Sequence, residues 1–543
     1  MADAKIIPTQ RELNGLDLSD PRILDLIQHA KDADLADKQL TVRQALKKYK
    51  KAVFWAGLLS VSLIMEGYDL VMIGSFYGLP QFQKHFGSYS EAEGKYIITP
   101  AWQSGLSNSA QVGQLAGLAI NAYSQDRFGA RLTMMTFMAY LTGAIFIIAF
   151  APSLSILALG EALCGVAWGV FQTLSTTYAC EVVPTILRPY VTAWVCMCWG
   201  FGILLSSGVV RATSDIQSNL AWKLPFYLQW TWPVPLFLVA YFAPESPWNA
   251  VRRGKLEEAR TSLQRLASPS AQSTVEATLA YIQHTTELEK AEVRGASFLD
   301  CFKGHNLRRT EINCVVWAAQ ILCGNAILGF VIVFLQAAGW SVTQAFNLNI
   351  SLSACYVIGG VICWFLFPHF GRATIYMSGL VFMLCCLLAI GGLGWSDSKD
   401  AYLAIGLLFV VSTLCNMITI GPVCYPIVAE TPSGRLRYKT IVIGRFVYNL
   451  TAIFNNAVTP RMISASAWGW GAKTGLFYAG TNFLCLVWCY FRLPETKDRT
   501  FGEIDILFEN GVSARKFKHT TVDQFAQHSD YVTPEKHRVE HVD

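Results

Sequence analysis

Glu181-x-x-Pro184-x-x-x-Arg188 is followed, about 250 residues further on, by Glu430-x-Pro432 with Arg437, with the same seven-residue step from acid to base. Two more echoes keep this register. Pro244-Glu245-Ser246 returns as Pro494-Glu495-Thr496, and Arg127-x-Gly129-x-Arg131 is echoed by Phe370-Gly371-Arg372. Each echo sits at the matching end of a long apolar segment. A duplicated block of apolar helices with charges at corresponding edges is the pattern of a two-lobed secondary transporter. No enzyme chemistry requires it.

Composition points the same way. The chain has 543 residues, 53% hydrophobic and 15% charged, with mean hydropathy +0.35, whereas a soluble chain carries about 25% charge. Apolar runs of about 20 residues recur, each long enough to span a bilayer as a helix. They are too long and too uniformly apolar for barrel strands. The net charge of +5 is scattered over helix ends. It reads as charge at a membrane surface, with no nucleic-acid face. The 15 cysteines lie in or beside apolar segments, from Cys164 to Cys489. That placement argues against a disulfide framework, and no spacing indicates a metal or a cofactor.

Twelve spans are expected, at about 52–79, 103–124, 132–150, 154–177, 190–211, 225–243, 312–336, 345–367, 373–393, 402–428, 438–459 and 474–491. The fold class is therefore all-α: twelve transmembrane helices in two pseudo-symmetric six-helix lobes. The expected units are an N-terminal segment (1–51), a first lobe (52–243), a linker with short helices (244–311), a second lobe (312–493) and a tail (494–543). Lys47, Lys48, Lys50 and Lys51 directly precede the first span and argue for a cytosolic N-terminus. The short loops 125–131, 178–189, 368–373 and 429–439 then face the cytosol and carry the arginines, while the outer loop 337–344 has no charge. An even span count returns the C-terminus to the cytosol. The tail from about 495 reads as polar and partly disordered. The small-residue faces Gly113-x-x-x-Gly117 and Gly165-x-x-x-Gly169 suit either lobes that rock against each other or ordinary helix packing.

Ionisable groups inside spans are costly, by about 2.5–3.5 kcal/mol on insertion scales, and need a reason. Span one holds Glu66 and Asp69, three residues apart and so on one helix face. Span four holds Glu161 and span eleven Arg445. Three acids against one base leave room for a proton, which makes Glu66, Asp69, Glu161 and Arg445 the candidates for proton coupling. A static ion pair is the alternative. Amides within spans, among them Gln172, Gln320, Asn325 and Asn449, both donate and accept, as sugar hydroxyls require. Trp199, Tyr77 and Tyr425 offer flat faces for a pyranose ring. Interhelical hydrogen bonding is the competing use of each amide. Gln320 and Asn325 stand out because Gly324 interrupts their span. The phosphate-binding loop of ATP-driven pumps is absent, as are the hydrolase and zinc-protease signatures.

These motifs resemble the sugar porters of the major facilitator superfamily, over about residues 50–520. The carrying stretches are Asp126-Arg127-x-Gly129-x-Arg131, Tyr178-x-x-Glu181-x-x-Pro184-x-x-x-Arg188, Pro244-Glu245-Ser246-Pro247-Trp248, Gly421-Pro422 and Pro494-Glu495-Thr496. Within that family, Glu66-Gly67-Tyr68-Asp69, Leu79-Pro80-Gln81-Phe82-Gln83-Lys84, Lys223-Leu224-Pro225-Phe226, Gln229-Trp230 and Trp470-Gly471-Ala472-Lys473-Thr474-Gly475 are similar to the fungal maltose permease branch, the α-glucoside:proton symporters. The resemblance implies twelve helices, a midplane sugar site, proton symport, and coupling roles for Glu66, Asp69 and Arg445. The chain departs from the branch in three places. Gln114 replaces an acid in span two, Glu161 replaces a glutamine in span four, and Ala319-Gln320 replaces a double glutamine.

The expected mechanism is alternating access. Protonation of Asp69, shared with Glu66, permits closure. Gln172, Gln320, Asn325, Tyr425 and Asn449 hold the sugar. A cytosolic gate of Asp126, Arg127, Arg131, Arg188, Arg372 and Arg437 with Glu181, Glu245, Glu430 and Glu495 locks and releases. The expected setting is a multi-pass monomer in the plasma membrane, with a sugar, a proton and the bilayer as its only partners. An uncoupled facilitator, a symporter for another sugar or glycoside, and a non-transporting sugar sensor share the fold.

Overall fold

The structure is a computed structural model, and it describes residues 41–91, 94–268, 272, 275–293, 298–337, 339–366, 369–396, 398–433, 436–497, 499, 501–521 and 540–541. Helices begin as soon as the described chain does. Thr41 and Gln44 form a reciprocal capping box that starts α1 (Val42–Lys48). The first span follows as α2 (Lys50–Ser60) and α3 (Ser62–Phe76), almost continuous across Val61.

Among the described residues, ten helical runs are long and apolar enough to cross a membrane. After the first come α6 (Ala130–Ala149), α7 (Leu154–Val182) and α8 (Arg188–Thr213). The second half supplies α14 (Gly304–Leu322) with α15 (Val331–Ala337), α16 (Val342–Leu366), α17 (Arg372–Leu393), α18 (Lys399–Ile418) with α19 (Ile420–Glu430), α20 (Arg437–Ile463) and α21 (Thr474–Arg492).

The two other expected spans differ in kind. The second is α5 (Pro100–Phe128), long enough at 29 residues but studded with amides and hydroxyls. The sixth is broken into α9 (Leu220–Leu228), a 3-10 turn (Gln229–Thr231) and α10 (Pro233–Phe242). Pro233 has no N–H to continue the ladder, so the turn at Gln229 is built into the sequence.

Three details depart from the sequence reading. Between spans one and two the chain adds α4 (Pro80–Phe86) and a small antiparallel hairpin, β1 (Ser88–Ser90) on β2 (Lys95–Ile97), within the all-α fold. Glu181 and Glu430 belong to the last turns of α7 and α19, not to loops. Nothing stops those helices until Pro184 and Pro432 restrict the residues before them. The tail is also ordered well past 495. It forms α22 (Phe501–Glu509) and a 3-10 turn (Ala514–His519), and buries Leu507, Phe508 and Phe517 in the core of the second lobe. The apolar residues at 504, 507, 508 and 517 outweigh the polarity of their neighbours.

The paired glycine faces meet each other. A Cβ at Gly165 would strike the Ala110 carbonyl, and one at Gly113 the Ala162 carbonyl. They bring α5 onto α7 within one lobe, which makes them fixed packing and not a sliding surface. Several bonds that join the lobes lie elsewhere. Gln336 Nε2 donates to the Gly78 carbonyl at 2.8 Å, Asn349 Nδ2 to Ser207 Oγ at 3.0 Å, and Arg461 Nη1 to Ser104 Oγ at 3.2 Å. These three contacts sit in the half of the bundle that carries the hairpin, and they close that end. The opposite end carries the linker helices α11 (Pro247–Arg252), α12 (Leu256–Leu266) and α13 (Val275–Val293).

Candidate substrate and proton site

The acids of span one face inward because Gly67 and Gly202 let α3 and α8 touch. A Cβ on either glycine would meet the other helix's backbone, at Trp199 and Ile64 respectively. Glu66, Asp69 and Glu161 are 1%, 0% and 1% exposed. Glu66 Oε1 accepts from Gln114 Nε2 at 3.3 Å and from Gln172 Nε2. Asp69 Oδ1 accepts from Gln229 Nε2, which the broken sixth span presents. Glu161 on α7 lies beside Asp69 within the same lobe. One oxygen on each of the three acids finds no partner.

Arg445 reaches this cluster from the other lobe through a hydrogen bond and ring contacts, without the static ion pair of the alternative reading. Its Nε donates to Gln172 Oε1 at 3.1 Å. Its guanidinium lies 4.7 Å from the Trp317 ring centroid and 4.3 Å from that of Tyr448. The ring faces supply the electrostatic attraction that a carboxylate would have supplied.

The expected sugar ligands fall into two groups. Gln172, Gln320, Asn325 and Tyr425 are all half-buried near mid-bundle. Gln320 donates to the Gly421 carbonyl at 2.9 Å, and Tyr356 donates to Asn325 Oδ1 at 3.4 Å. Gly324, in the left-handed region at φ 96°, ends α14 and turns the following 3-10 segment (Asn325–Phe330) inward. Tyr425 packs edge-on against Trp317, with centroids 5.2 Å apart. Asn449 is fully buried, with neither amide atom partnered. Tyr77 is not part of the site. It is buried at the hairpin end, stacked on Phe330 and bonded to Ser107. Trp317, Tyr448 and Tyr356 join the site with no signal of their own in the sequence. Gln229 does have one, since Pro225 and Pro233 on either side of it mark the break.

The repeated motifs at the other end have a single structural explanation. Glu245 Oε1 accepts the Ala130 N–H at 2.8 Å, and Oε2 accepts the Arg131 N–H at 3.2 Å. In the second lobe Glu495 Oε1 accepts the Arg372 N–H at 2.7 Å. Each carboxylate therefore caps the N-terminus of its lobe's third span, where unpaired N–H groups and the helix dipole favour negative charge. The motif glycines admit it. A Cβ on Gly129 would lie 2.6 Å from Glu245 Oε2, and one on Gly371 would collide with Glu495. The following residue repeats as well: Ser246 donates to Glu181, and Thr496 to Glu430. Burial pushes the Glu245 carboxyl up, opposed by the N–H groups of Ala130 and Ser246, the Arg253 guanidinium and the Arg131 N–H.

The gate arginines are used less directly than expected. Arg372 stands 3.6 Å from Glu430. Glu181 instead takes Arg252 at 2.8 Å. Arg131 lies over Tyr241, Arg127 donates to Tyr123, and Arg188 donates to the Cys180 carbonyl at 3.0 Å. The side chains of Asp126 and Arg437 lie outside the described residues. The reason for the difference is local: helix N-termini and linker arginines lie closer to the carboxylates than the motif arginines do.

This architecture has close counterparts. The xylose symporter XylE, a proton:xylose symporter of the major facilitator superfamily solved with 6-bromo-6-deoxy-D-glucose, matches with a TM-score of 0.70 at 20% identity, over 85% of this chain and 100% of that one. Its partially occluded inward-open form from E. coli matches with a TM-score of 0.67 at 18% identity, over 84% of this chain and 100% of that one. These share the fold. In sequence, the General alpha-glucoside permease of Saccharomyces cerevisiae is 42% identical over 505 residues, covering 92% of this chain and 82% of that protein. The Maltose permease MAL31 of the same yeast is 40% identical over 513 residues, covering 93% and 84%. The family model described as "Sugar (and other) transporter" matches residues 55–508. The chain therefore belongs to the sugar transporter family, and it has the major facilitator fold.

Proposed function

We propose that this protein carries an α-glucoside of the maltose type together with a proton, by alternating access between two six-helix lobes. The observation that carries this reading is the buried acid cluster Glu66, Asp69 and Glu161, gathered in one lobe and reached by Arg445 from the other. The names of the yeast relatives supply the substrate class. Gln320, Asn325, Tyr425 and Asn449 are the sugar contacts, with Trp317 and Tyr448 as aromatic walls. The proton is the coupling ion. The capped clusters around Glu245 and Glu495 hold the cytosolic end of each lobe rigid while the lobes rock. The protein works as a monomer in the plasma membrane with both termini in the cytosol.

The driving force is sufficient. A proton falling through ~100 mV gains about 2.3 kcal/mol. A difference of about two pH units adds roughly 2.7 kcal/mol. Their sum supports accumulation of about a few thousand-fold.

The test is labelled maltose uptake in cells without their own sugar carriers, at acidic and mildly alkaline external pH, with and without a protonophore. The reading expects faster uptake in acid and collapse with the protonophore. Maltose uptake indifferent to both would identify a facilitator. Absence of uptake by protein shown to be at the surface would remove maltose as the substrate.

A further inference from the structure

We infer that Gln172 is not a sugar contact but the switch through which the charge on Glu66 controls the mid-membrane link between the lobes. The inference rests on the proposed proton-coupled transport. Its basis is that both ends of one side-chain amide are already used, each by a different lobe. The Gln172 amide N–H donates to Glu66 Oε1, within the first lobe. The amide oxygen accepts from Arg445 Nε at 3.1 Å, across the lobe boundary. An amide has its donor and acceptor on opposite arms. An ionised Glu66, which can only accept, therefore orients the amide so that its oxygen must face Arg445.

The surroundings make this orientation depend on the charge of Glu66. The groups facing Glu66 are Gln114 from α5, Gln172 from α7, Arg445 and Tyr448 from α20, and Asp69 on its own helix. Among the described residues, no carboxylate lies within ion-pair distance of Arg445. The amide is its hydrogen-bonded connection to the acids. Hydrogen bonds to an ionised partner are roughly twice as strong as neutral ones. When Glu66 takes up a proton, its bond to Gln172 loses that charge assistance and the amide loses its fixed orientation. The bond to Arg445 then weakens although neither of its atoms has titrated. Asp69 accepts from Gln229, and Glu161 lies beside it, all within the first lobe, and so they make no comparable link. Gln172 is thus a positioning residue for coupling.

The test compares wild type with Gln172→Met, which keeps the length of the side chain but neither donates nor accepts as an amide does. Labelled maltose accumulation, KM and the uptake–pH profile are measured on surface-expressed protein. The expected variant equilibrates sugar without accumulating it, has a flattened pH profile and retains a near-normal KM. A raised KM with accumulation and pH profile intact would make Gln172 a sugar contact and overturn the inference, as would wild-type behaviour throughout. Should Gln172→Met fail to reach the surface, Gln172→Glu is decisive. It can still accept from Arg445 but adds a negative charge beside Glu66, and is expected to move the uptake–pH profile to higher pH. An unchanged profile would overturn the inference. If wild type itself shows no acid-stimulated uptake, the proposed function fails first, and the two failures are distinguishable.

Discussion

Glu245 holds the Ala130 N–H at 2.8 Å, and this one bond explains why a Pro-Glu-Ser motif and an Arg-x-Gly-x-Arg motif more than a hundred residues apart occur together. The glutamate needs the bare glycine turn to reach the helix end. The helix end, with its unpaired N–H groups, needs an acceptor. Glu495 and Gly371 repeat the arrangement in the second lobe.

Removing either cap should therefore destabilise its lobe without touching the sugar site. Glu245→Ala and Glu495→Ala are each expected to cost about 0.5–2 kcal/mol, the usual range for a lost N-cap. Thermal unfolding of purified protein in detergent measures this. A midpoint unchanged in both variants would mean that the carboxylates are incidental.

The glycine faces make a sharper contrast. Gly165→Val would drive a side chain into the Ala110 carbonyl, and overpacking of this kind costs about 1–3 kcal/mol or more. Gly143→Ala meets nothing within 4 Å and replaces a poor helix former, with an expected gain of about 0.5–1 kcal/mol. Surface expression and thermal midpoint should move in opposite directions for the two.

Asp69→Asn should abolish accumulation against a gradient while leaving exchange of labelled sugar across the membrane. The amide oxygen can still accept from Gln229, but the side chain cannot load and release a proton. The ratio of internal to external sugar at steady state is the readout, and a ratio above equilibration in this variant would contradict the assignment.

The docked tail predicts a further effect. Arg309 is buried, and it bonds Asp505 on α22 while stacking over Phe508. Asp505→Ala leaves that guanidinium with a desolvated donor, at an expected cost of about 1–3 kcal/mol. Limited proteolysis measures it: the variant should be cut near 500–520 well before wild type.

The duplication, the long apolar spans and the intramembrane acids were legible because each rests on a local signal, periodicity or a charge out of place. What could not be read was who meets whom. The acid Glu245 and the glycine Gly129 are both visible in the chain, but that the acid would find a backbone N–H before an arginine depends on the turn geometry of another segment. Arg445 is visible in the chain as a lone base among three acids, but that the ring faces of Trp317 and Tyr448 and the amide of Gln172 would hold it is not. The tail looked polar because its few apolar residues are spaced irregularly. Phe508 and Phe517 become a core only once they fold back on the second lobe.

The central claim is that sugar and proton move together, and the most direct measurement is the external pH of a lightly buffered suspension of cells expressing the chain when maltose is added. The account predicts an immediate alkalinisation that requires maltose and is absent in Asp69→Asn. Entry of labelled maltose with no change in external pH would contradict it.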